Sequence, residues 1–378
     1  MHKLNIDIES FLRSSWQRQF QYMKNALPDF CSPISPGELQ LLATEEYIEA
    51  RMLHCFTNEP WMLNAGPIAI EDCASQKGEP CSLLVQAVDQ WNPEVQQLLK
   101  LFDFLPSWRL DDIMISLSTN GAGVGPHYDQ YDVFLIQAQG TRNWKLGGIY
   151  DDDAPQTTNA GLKQLSNMKV IEEFSLVPGD ILYLPPGTGH DGVATSDDCI
   201  TISIGFRAPS HAEALTDFAS FAADLTKDSQ RFSDANRPTL QNPREISDWD
   251  IQNIQSILLE YAENKSLVKQ WFGSLMTEQK YPELMPENLN YSKSDWLQGL
   301  SDADIVILDP ASRISFDDEF IYIDARIYSR GLMTKTQGEL FTDNDQFEPA
   351  AFTALFGHSD GLDQLLLECL NLGTFYLE

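Results

Sequence analysis

The feature that most constrains the fold is the residue pattern between positions 112 and 207, where short runs of β-branched and aromatic residues alternate with glycine and proline. Runs of this length are typical of strands that are joined by tight turns. Several such strands at close spacing predict an all-β barrel or sandwich. The predicted strands are Ile113–Ser118, Asp132–Gln139, Trp144–Leu146, Ile181–Leu184 and Ile200–Phe206.

Two segments of this region carry residues that are suited to binding a metal. In the segment GAGVGPHYD (121–129), His127 stands two positions before Asp129. Side chains at i and i+2 of a strand point to the same face, so both can bind one metal from inside a barrel. The segment PGDILYLPPGTGH (178–190) adds a strand, a turn and His190. Two imidazoles and one carboxylate on one side of a metal are the facial triad of non-haem Fe(II) oxygenases.

Further residues are suited to holding the carboxylate of a cosubstrate. Arg142 follows the turn at residues 140–141 and begins the next strand, 15 positions after His127. An arginine binds a carboxylate through two parallel hydrogen bonds. Alternation along the preceding strand places Ser118 on one face with Asp112, Met114 and Ser116, which predicts a pocket lining. The alternatives are an exposed hairpin charge for Arg142 and a solvated polar face for the strand.

After Pro209 the apolar residues recur at helical spacing. One stripe consists of Leu215, Phe218, Ala222 and Leu225, and a second of Ile251, Ile254, Leu258 and Tyr261. Ser247 is a suitable N-cap for the second helix. These stripes face either a partner subunit or the barrel.

A third segment begins near Ser292 and has the order of a small winged-helix domain. It contains a helix-like stretch, a hairpin-like run over Ile314–Arg326 and a last amphipathic helix. That last helix carries Leu362, Leu365, Leu366 and Cys369. Residues 291–378 hold 16 acidic and 5 basic side chains. Since DNA binding requires cationic contacts to phosphate, we expect no DNA binding.

The overall charge is strongly negative. With 56 acidic and 25 basic residues, the formal net charge is −31. A surface of this charge repels nucleic acid and attracts a basic partner, although solubility alone is also a sufficient explanation.

The sequence also indicates the cellular compartment. No apolar run is long enough to cross a membrane, and the N-terminal residues lack the apolar core of a signal peptide. The six cysteines form no CxxC pair, so we expect them to be reduced and structural. We therefore expect a cytoplasmic protein without a membrane anchor.

At this point the sequence resembles the JmjC-type 2-oxoglutarate oxygenases, and within them the bacterial ribosomal oxygenases. Residues 111–147, DDIMISLSTNGAGVGPHYDQYDVFLIQAQGTRNWKLG, carry the closest resemblance, and PGDILYLPPGTGH is a second, more general match. The resemblance implies an α+β chain with a double-stranded β-helix (cupin/JmjC) barrel. The implied domains are the barrel over 1–208, a helical dimerisation domain over 209–290 and an acidic winged-helix-like domain over 291–378.

The resemblance also implies a function and site residues. These enzymes use Fe(II), 2-oxoglutarate and O2 to hydroxylate an arginine of a basic large-subunit ribosomal protein, and a homodimer is implied. The implied iron ligands are His127, Asp129 and His190. The resemblance assigns 2-oxoglutarate to Arg142 and Ser118, and the target arginine side chain to Tyr131, Met114 and Asp112. Tyr131 falls on the strand face of His127 and Asp129, and a guanidinium beside iron requires such an apolar sleeve and a carboxylate.

Three alternatives remain open on the sequence. The first is an oxygenase of the same class that acts on another protein side chain, as a histidine hydroxylase or an N-methyl demethylase. The second is a metal cupin that does not use 2-oxoglutarate, such as an isomerase, against which Arg142 and Ser118 argue. The third is a non-catalytic peptide-binding module, against which the intact triad argues.

Overall fold

The structure is a computed structural model that describes residues 3–56, 60–73, 78–342 and 344–378. It divides into two compact units, Met1–Ala208 and Pro209–Glu378. In the described part of the chain, no helix is long and apolar enough to cross a membrane. The cysteines are all free, as expected.

The first unit is built mainly from strands. Its short helices are α1 (Ile8–Ser14), α2 (Pro36–Leu42) and α3 (Pro93–Gln96). Its strands are β1 (Gln21–Met23), β2 (Ala50–His54), β3 (Met62–Ala65), β4 (Cys81–Val85), β5 (Leu110–Ser118), β6 (Asp132–Gln139), β7 (Arg142–Ile149), β8 (Gln156–Asn159), β9 (Leu162–Leu165), β10 (Glu172–Leu176), β11 (Ile181–Leu184), β12 (Thr188–Ala194) and β13 (Cys199–Phe206). The predicted strands all lie within β5, β6, β7, β11 and β13.

These strands form two principal antiparallel sheets. The larger sheet has the order β1-β11-β6-β13-β5-β4-β2-β3, and the smaller has the order β10-β7-β12. Alternate residues of each strand point to opposite faces, so β6 contributes Val133 and Leu135 to one core and Phe134 and Ile136 to another. The first of these cores also contains Trp144 of the smaller sheet, so it lies between the two sheets. Two sheets that enclose a core agree with the predicted barrel.

The hairpin between β6 and β7 has a local cause in the sequence. Gly140 has a φ of +65°, a left-handed conformation that glycine adopts without strain. A side chain there would also collide with the hydroxyl of Ser196. The turn therefore ends β6 at Gln139 and starts β7 at Arg142, which directs the arginine into the barrel.

The second unit combines helices with short strands. Its helices are α4 (His211–Asp224), α5 (Asp248–Ala262), α6 (Lys265–Met276), α7 (Lys293–Asp302), α8 (Lys335–Thr342), α9 (Pro349–Thr353) and α10 (Asp360–Asn371). Its strands are β14 (Val306–Leu308), β15 (Ile314–Phe316), β16 (Phe320–Ile323), β17 (Arg326–Ser329), β18 (Gln346–Phe347) and β19 (Phe375–Leu377). The predicted hairpin corresponds to β15 and β16, which pair antiparallel, and the predicted last helix corresponds to α10.

Contacts within the second unit join the helical segment to the C-terminal segment. The hydroxyl of Ser274 on α6 donates to the backbone carbonyl of Ala325, at 2.7 Å. Gly273 lies so close to the ring of Tyr322 that no larger residue fits. These contacts make residues 209–378 one compact unit, and the boundary at 290, like the winged-helix assignment, stays a prediction.

Candidate metal and cosubstrate site

His127, Asp129 and His190 lie close together in the first unit. Their ligand atoms all lie within 4.8 Å of one another, and the described residues contain no other group of three potential ligands. The His190 Nε2 atom is 3.6 Å from Asp129 Oδ2, and His127 Nε2 is 4.0 Å from the same oxygen. One metal ion can therefore bind all three side chains.

The backbone around this group differs from the predicted one. We expected His127 and Asp129 on a regular strand, but residues 121–131 form a loop that pairs through a single bridge between His127 and His190. The two residues exchange backbone hydrogen bonds of 2.9 and 2.8 Å. Gly187 N–H also donates to the Asp129 carbonyl, at 2.7 Å. These backbone hydrogen bonds between two distant segments of the chain, rather than strand alternation, bring the ligands together.

Hydrogen bonds fix the orientation of both imidazole rings. The Nδ1 atom of His127 lies 2.8 Å from the Gly125 carbonyl, and that of His190 lies 2.8 Å from the Thr188 carbonyl. A carbonyl only accepts, so each Nδ1 carries the proton and each Nε2 keeps its lone pair for a metal. Burial, together with the nearby His127, lowers the pKa of His190 to about 4 against the opposing effect of Asp129. His190 is therefore neutral near pH 7, as a ligand must be.

Arg142 lies inside the barrel, at the start of β7, and not on the surface. The side chain is buried, and its Nη2 donates to the hydroxyl of Ser118 at 2.8 Å while Nη1 donates to the Gly192 carbonyl at 3.2 Å. Its Nε–H has no hydrogen-bond partner among the residues that the structure describes. Burial lowers the pKa of this guanidinium, and within the described ranges no carboxylate lies at ion-pair distance from it.

A buried cation without a counter-ion is costly, so this environment fits an anionic ligand. The unpartnered Nε–H and the neighbouring hydroxyls fit a carboxylate in particular, because a carboxylate accepts several hydrogen bonds at once. The triad likewise fits a divalent metal that prefers imidazole and carboxylate ligands with open positions. The donor sets thus suit Fe(II) and 2-oxoglutarate.

The three expected substrate residues have different surroundings in the structure. Tyr131 is exposed, and its pKa is raised by burial of the hydroxyl and by the charges of Asp129, Asp112 and Asp111. Met114 is half-buried and lies on the same face of β5 as Ser116. Asp112 is buried, and its Oδ2 already accepts from Gln86 Nε2 at 2.7 Å and from the Ala87 N–H at 3.0 Å.

That last arrangement differs from the expected free carboxylate. The Asp112 carboxylate accepts a hydrogen bond from the connection after β4, so at least one of its oxygens is already engaged by the protein. Its expected role toward a guanidinium stays a prediction. Among the expected residues, Tyr131 is the one that is both exposed and close to the triad.

The Ser116 hydroxyl, which the sequence placed on the predicted pocket face, lies 3.5 Å from Arg142 Nη2. Two further site residues, Trp144 and Ser82, received no role from the sequence. The Trp144 ring lies 5.8 Å from both the His190 ring and the Arg142 guanidinium. Alternation along β7 could have identified Trp144, because it follows Arg142 by two positions. Ser82 contacts Ser118, and nothing in the sequence indicates that contact.

Comparison with known proteins places this geometry in a family. The JmjC domain pattern matches residues 97–214. Ribosomal protein uL16 3-hydroxylase of Escherichia coli is 32% identical over 307 residues, which cover 81% of each chain. A probable ribosomal oxygenase of Haemophilus influenzae is 32% identical over 296 residues, covering 75% of this chain and 72% of the relative.

Solved structures agree over the whole length. The crystal structure of E. coli YcfD has a TM-score of 0.88 at 29% identity and covers 100% of both chains. YcfD, described as a ribosomal oxygenase, was also solved with cobalt and 2-oxoglutarate, and that structure has a TM-score of 0.84 at 27% identity with full coverage of both chains. The predicted cupin-type fold is confirmed, and the chain belongs to the JmjC-domain ribosomal oxygenase family.

Proposed function

We propose that this protein is an Fe(II)- and 2-oxoglutarate-dependent dioxygenase that hydroxylates a carbon atom of an arginine side chain in a basic large-subunit ribosomal protein. The observation that carries the oxygenase chemistry is the presence of the facial triad and the uncompensated Arg142 in one barrel. When bound, Fe(II) with 2-oxoglutarate and O2 supplies the oxidation that converts a C–H bond to C–OH, with release of succinate and CO2.

The residues of the chain bind and orient the reactants. His127, Asp129 and His190 would hold the metal. Arg142 and Ser118 would hold the distal carboxylate of 2-oxoglutarate. The Trp144 ring lies beside both His190 and Arg142 and adds an apolar surface that disfavours water there.

Two observations support a basic protein substrate. The E. coli relative is named a ribosomal protein uL16 hydroxylase, and ribosomal proteins are rich in lysine and arginine. The net charge of −31 attracts such a partner. Arginine as the target is supported by Tyr131, whose exposed ring offers a flat surface beside the triad for a guanidinium.

The test is direct mapping of the added oxygen. The purified protein is incubated with ribosomal proteins, Fe(II), 2-oxoglutarate and O2, and the products are sequenced by tandem mass spectrometry. We expect one added oxygen on an arginine carbon, and loss of that product when lysine replaces the target arginine in a matched peptide. Oxygen on a histidine, or loss of a methyl group from a lysine, would contradict the arginine assignment.

Variants of the triad provide the control for this experiment. Asp129→Ala removes one of three ligands and should abolish both the added oxygen and the metal affinity, while circular dichroism shows an unchanged fold. Full succinate production by a folded Asp129→Ala variant would contradict the triad. If the wild type produces succinate but adds no oxygen to a ribosomal protein, the oxygenase activity would be supported and the proposed substrate would be contradicted.

A further inference from the structure

We propose that Ser82 is a positioning residue for cosubstrate binding, because it orients the Ser118 hydroxyl so that its proton points at the distal carboxylate of 2-oxoglutarate. This inference rests on the proposed function, since it concerns the same carboxylate site. It adds a residue on β4, outside the motifs that identify the family.

The inference starts from a buried pair of hydroxyls. Ser82 Oγ lies 2.8 Å from Ser118 Oγ, and both side chains are about 1% exposed. Ser82 and Ser118 are directly opposite each other in the antiparallel pairing of β4 and β5. Cross-strand neighbours of this kind are held in contact by the sheet itself, so the contact does not depend on side-chain flexibility.

Either hydroxyl of the pair can donate, and counting donors and acceptors shows which direction a bound anion favours. Among the described residues, Ser118 is the one hydrogen-bond partner of the Ser82 hydroxyl, so Ser118 Oγ is the acceptor available to the Ser82 proton. A buried hydroxyl proton without an acceptor is unfavourable. When a carboxylate accepts from Ser118, donation from Ser82 to Ser118 is therefore the direction that gives both protons an acceptor.

Arg142 is a second hydrogen-bond donor to Ser118 when Ser82 donates to it. Its Nη2 donates to the same oxygen at 2.8 Å, so both lone pairs of Ser118 Oγ are occupied. The proton of Ser118 then has no acceptor among the described residues. It is free to donate beside the Arg142 guanidinium, where a carboxylate of the cosubstrate would be the acceptor.

In the complex, Ser82 thus stabilises the orientation in which Ser118 donates to the ligand. If Ser118 donated to Ser82 instead, its proton would be unavailable to a ligand, and a lone pair would face the incoming carboxylate. That orientation repels an anion. Hydrogen bonds in such a chain also strengthen one another, so the Ser82 hydroxyl makes Ser118 a better donor.

The test compares 2-oxoglutarate binding without turnover, measured by calorimetry on Co(II)-loaded protein under anaerobic conditions. Ser82→Ala should raise the Kd for 2-oxoglutarate about fivefold, as expected for loss of one neutral buried hydrogen bond. The affinity for Co(II) should not change, because Ser82 contacts none of the three metal ligands. In turnover, the KM for 2-oxoglutarate should rise by a similar factor while kcat stays the same.

Two further variants separate positioning from a general effect on structure. In the Ser118→Ala background, Ser82→Ala should have no additional effect on the Kd, because Ser82 acts through Ser118. Ser15→Ala is the matched control, since it removes a buried serine hydroxyl that bonds Gln21 at 2.5 Å in the same unit, and it should leave the Kd unchanged. Ser82→Cys keeps the shape of the side chain, with a larger atom that is a weaker donor, and should shift the Kd in the same direction as alanine.

The possible failures are distinguishable. A wild-type protein that binds Co(II) but not 2-oxoglutarate would refute the proposed function itself. A wild type that binds 2-oxoglutarate, with an unchanged Kd in folded Ser82→Ala, would refute the role of Ser82 alone. An equal loss in the presence and absence of the Ser118 hydroxyl would also refute it, because the effect would then not pass through Ser118.

Discussion

Arg142 lies in an environment that a guanidinium without a bound ligand disfavours. It is a buried cation at hydrogen-bonding distance from two serine hydroxyls and a backbone carbonyl, with no neighbouring carboxylate among the described residues. Such a group destabilises the ligand-free protein and stabilises the complex with an anion. If Arg142 binds the ligand, its substitution should weaken 2-oxoglutarate binding without lowering stability. If Arg142 is structural, its substitution should lower stability without weakening binding.

Substitution of Arg142 tests this directly. Arg142→Met keeps the length of the side chain and removes its charge, so the KM for 2-oxoglutarate should rise at least tenfold, since charge-assisted paired hydrogen bonds are lost. The Tm of the ligand-free protein should stay the same or rise. Arg142→Lys should be intermediate, because an ammonium lacks the planar fork. An unchanged KM with a lower Tm would make Arg142 a structural residue.

At the scale of elements, the pairing of β12 with β7 determines how closely the barrel closes around the site. Gly192 is opposite Trp144 in the register, and a Cβ atom there would lie 2.5 Å from the indole Cζ3 atom. The indole ring also packs near His190 and Arg142. A displaced ring would therefore disturb both a metal ligand and the arginine that binds the cosubstrate.

Gly192→Ala should therefore destabilise the protein and weaken cosubstrate binding together. Overpacking of this kind costs about 1–3 kcal/mol of the free energy of unfolding. The matched control is Gly148→Ala on β7, whose added Cβ would meet no atom within 4 Å. Thermal denaturation and 2-oxoglutarate titration check both variants. Equal Tm values for the two would mean that the ring moves aside without cost.

The helix α5 presents an apolar surface in the second unit. Ile251, Ile254 and Leu258 were predicted as one stripe, and all three are exposed, with Leu258 65% exposed. Such a surface is typical of an interface between subunits.

If α5 pairs with a second copy, Ile254→Asp should give a folded monomer, because the charge would be buried twice in a symmetric interface. Ser256→Asp, which adds the same charge on another face of α5, should leave the dimer intact. Light scattering measures the mass of each variant. A monomeric wild type would contradict the homodimer.

At the scale of the whole molecule, the net charge of −31 acts on association with a partner more than on the buried site. Interactions between exposed charges are screened by salt, while those of buried groups are screened much less. Raising the ionic strength should therefore raise the KM for a basic peptide several-fold. The KM for 2-oxoglutarate should change little, since Arg142 is buried. Steady-state kinetics at several salt concentrations measure both, and parallel changes would contradict steering by charge.

Much of the barrel follows from local sequence. β6 and β11 have the predicted bounds, because turns with glycine or proline delimit runs of apolar residues that suit only a strand. Residue types and short spacings also singled out His127, Asp129 and His190, since few side chains bind metals and only six histidines are present. Local order is therefore sufficient to name the candidate ligands and the architecture that carries them.

Contacts between distant parts of the chain decided the rest. The His127–His190 bridge, which replaces the predicted strand, joins residues that are far apart in sequence, and the engagement of Asp112 depends on the connection after β4. The Ser82–Ser118 pair depends on the register of β4 against β5. Register arises from the packing of whole sheets, and hydrogen bonds between side chains require positions that no spacing encodes. The sequence by itself determined which residues can bind a metal and a carboxylate, and only the tertiary structure decided how each is oriented and which are already engaged.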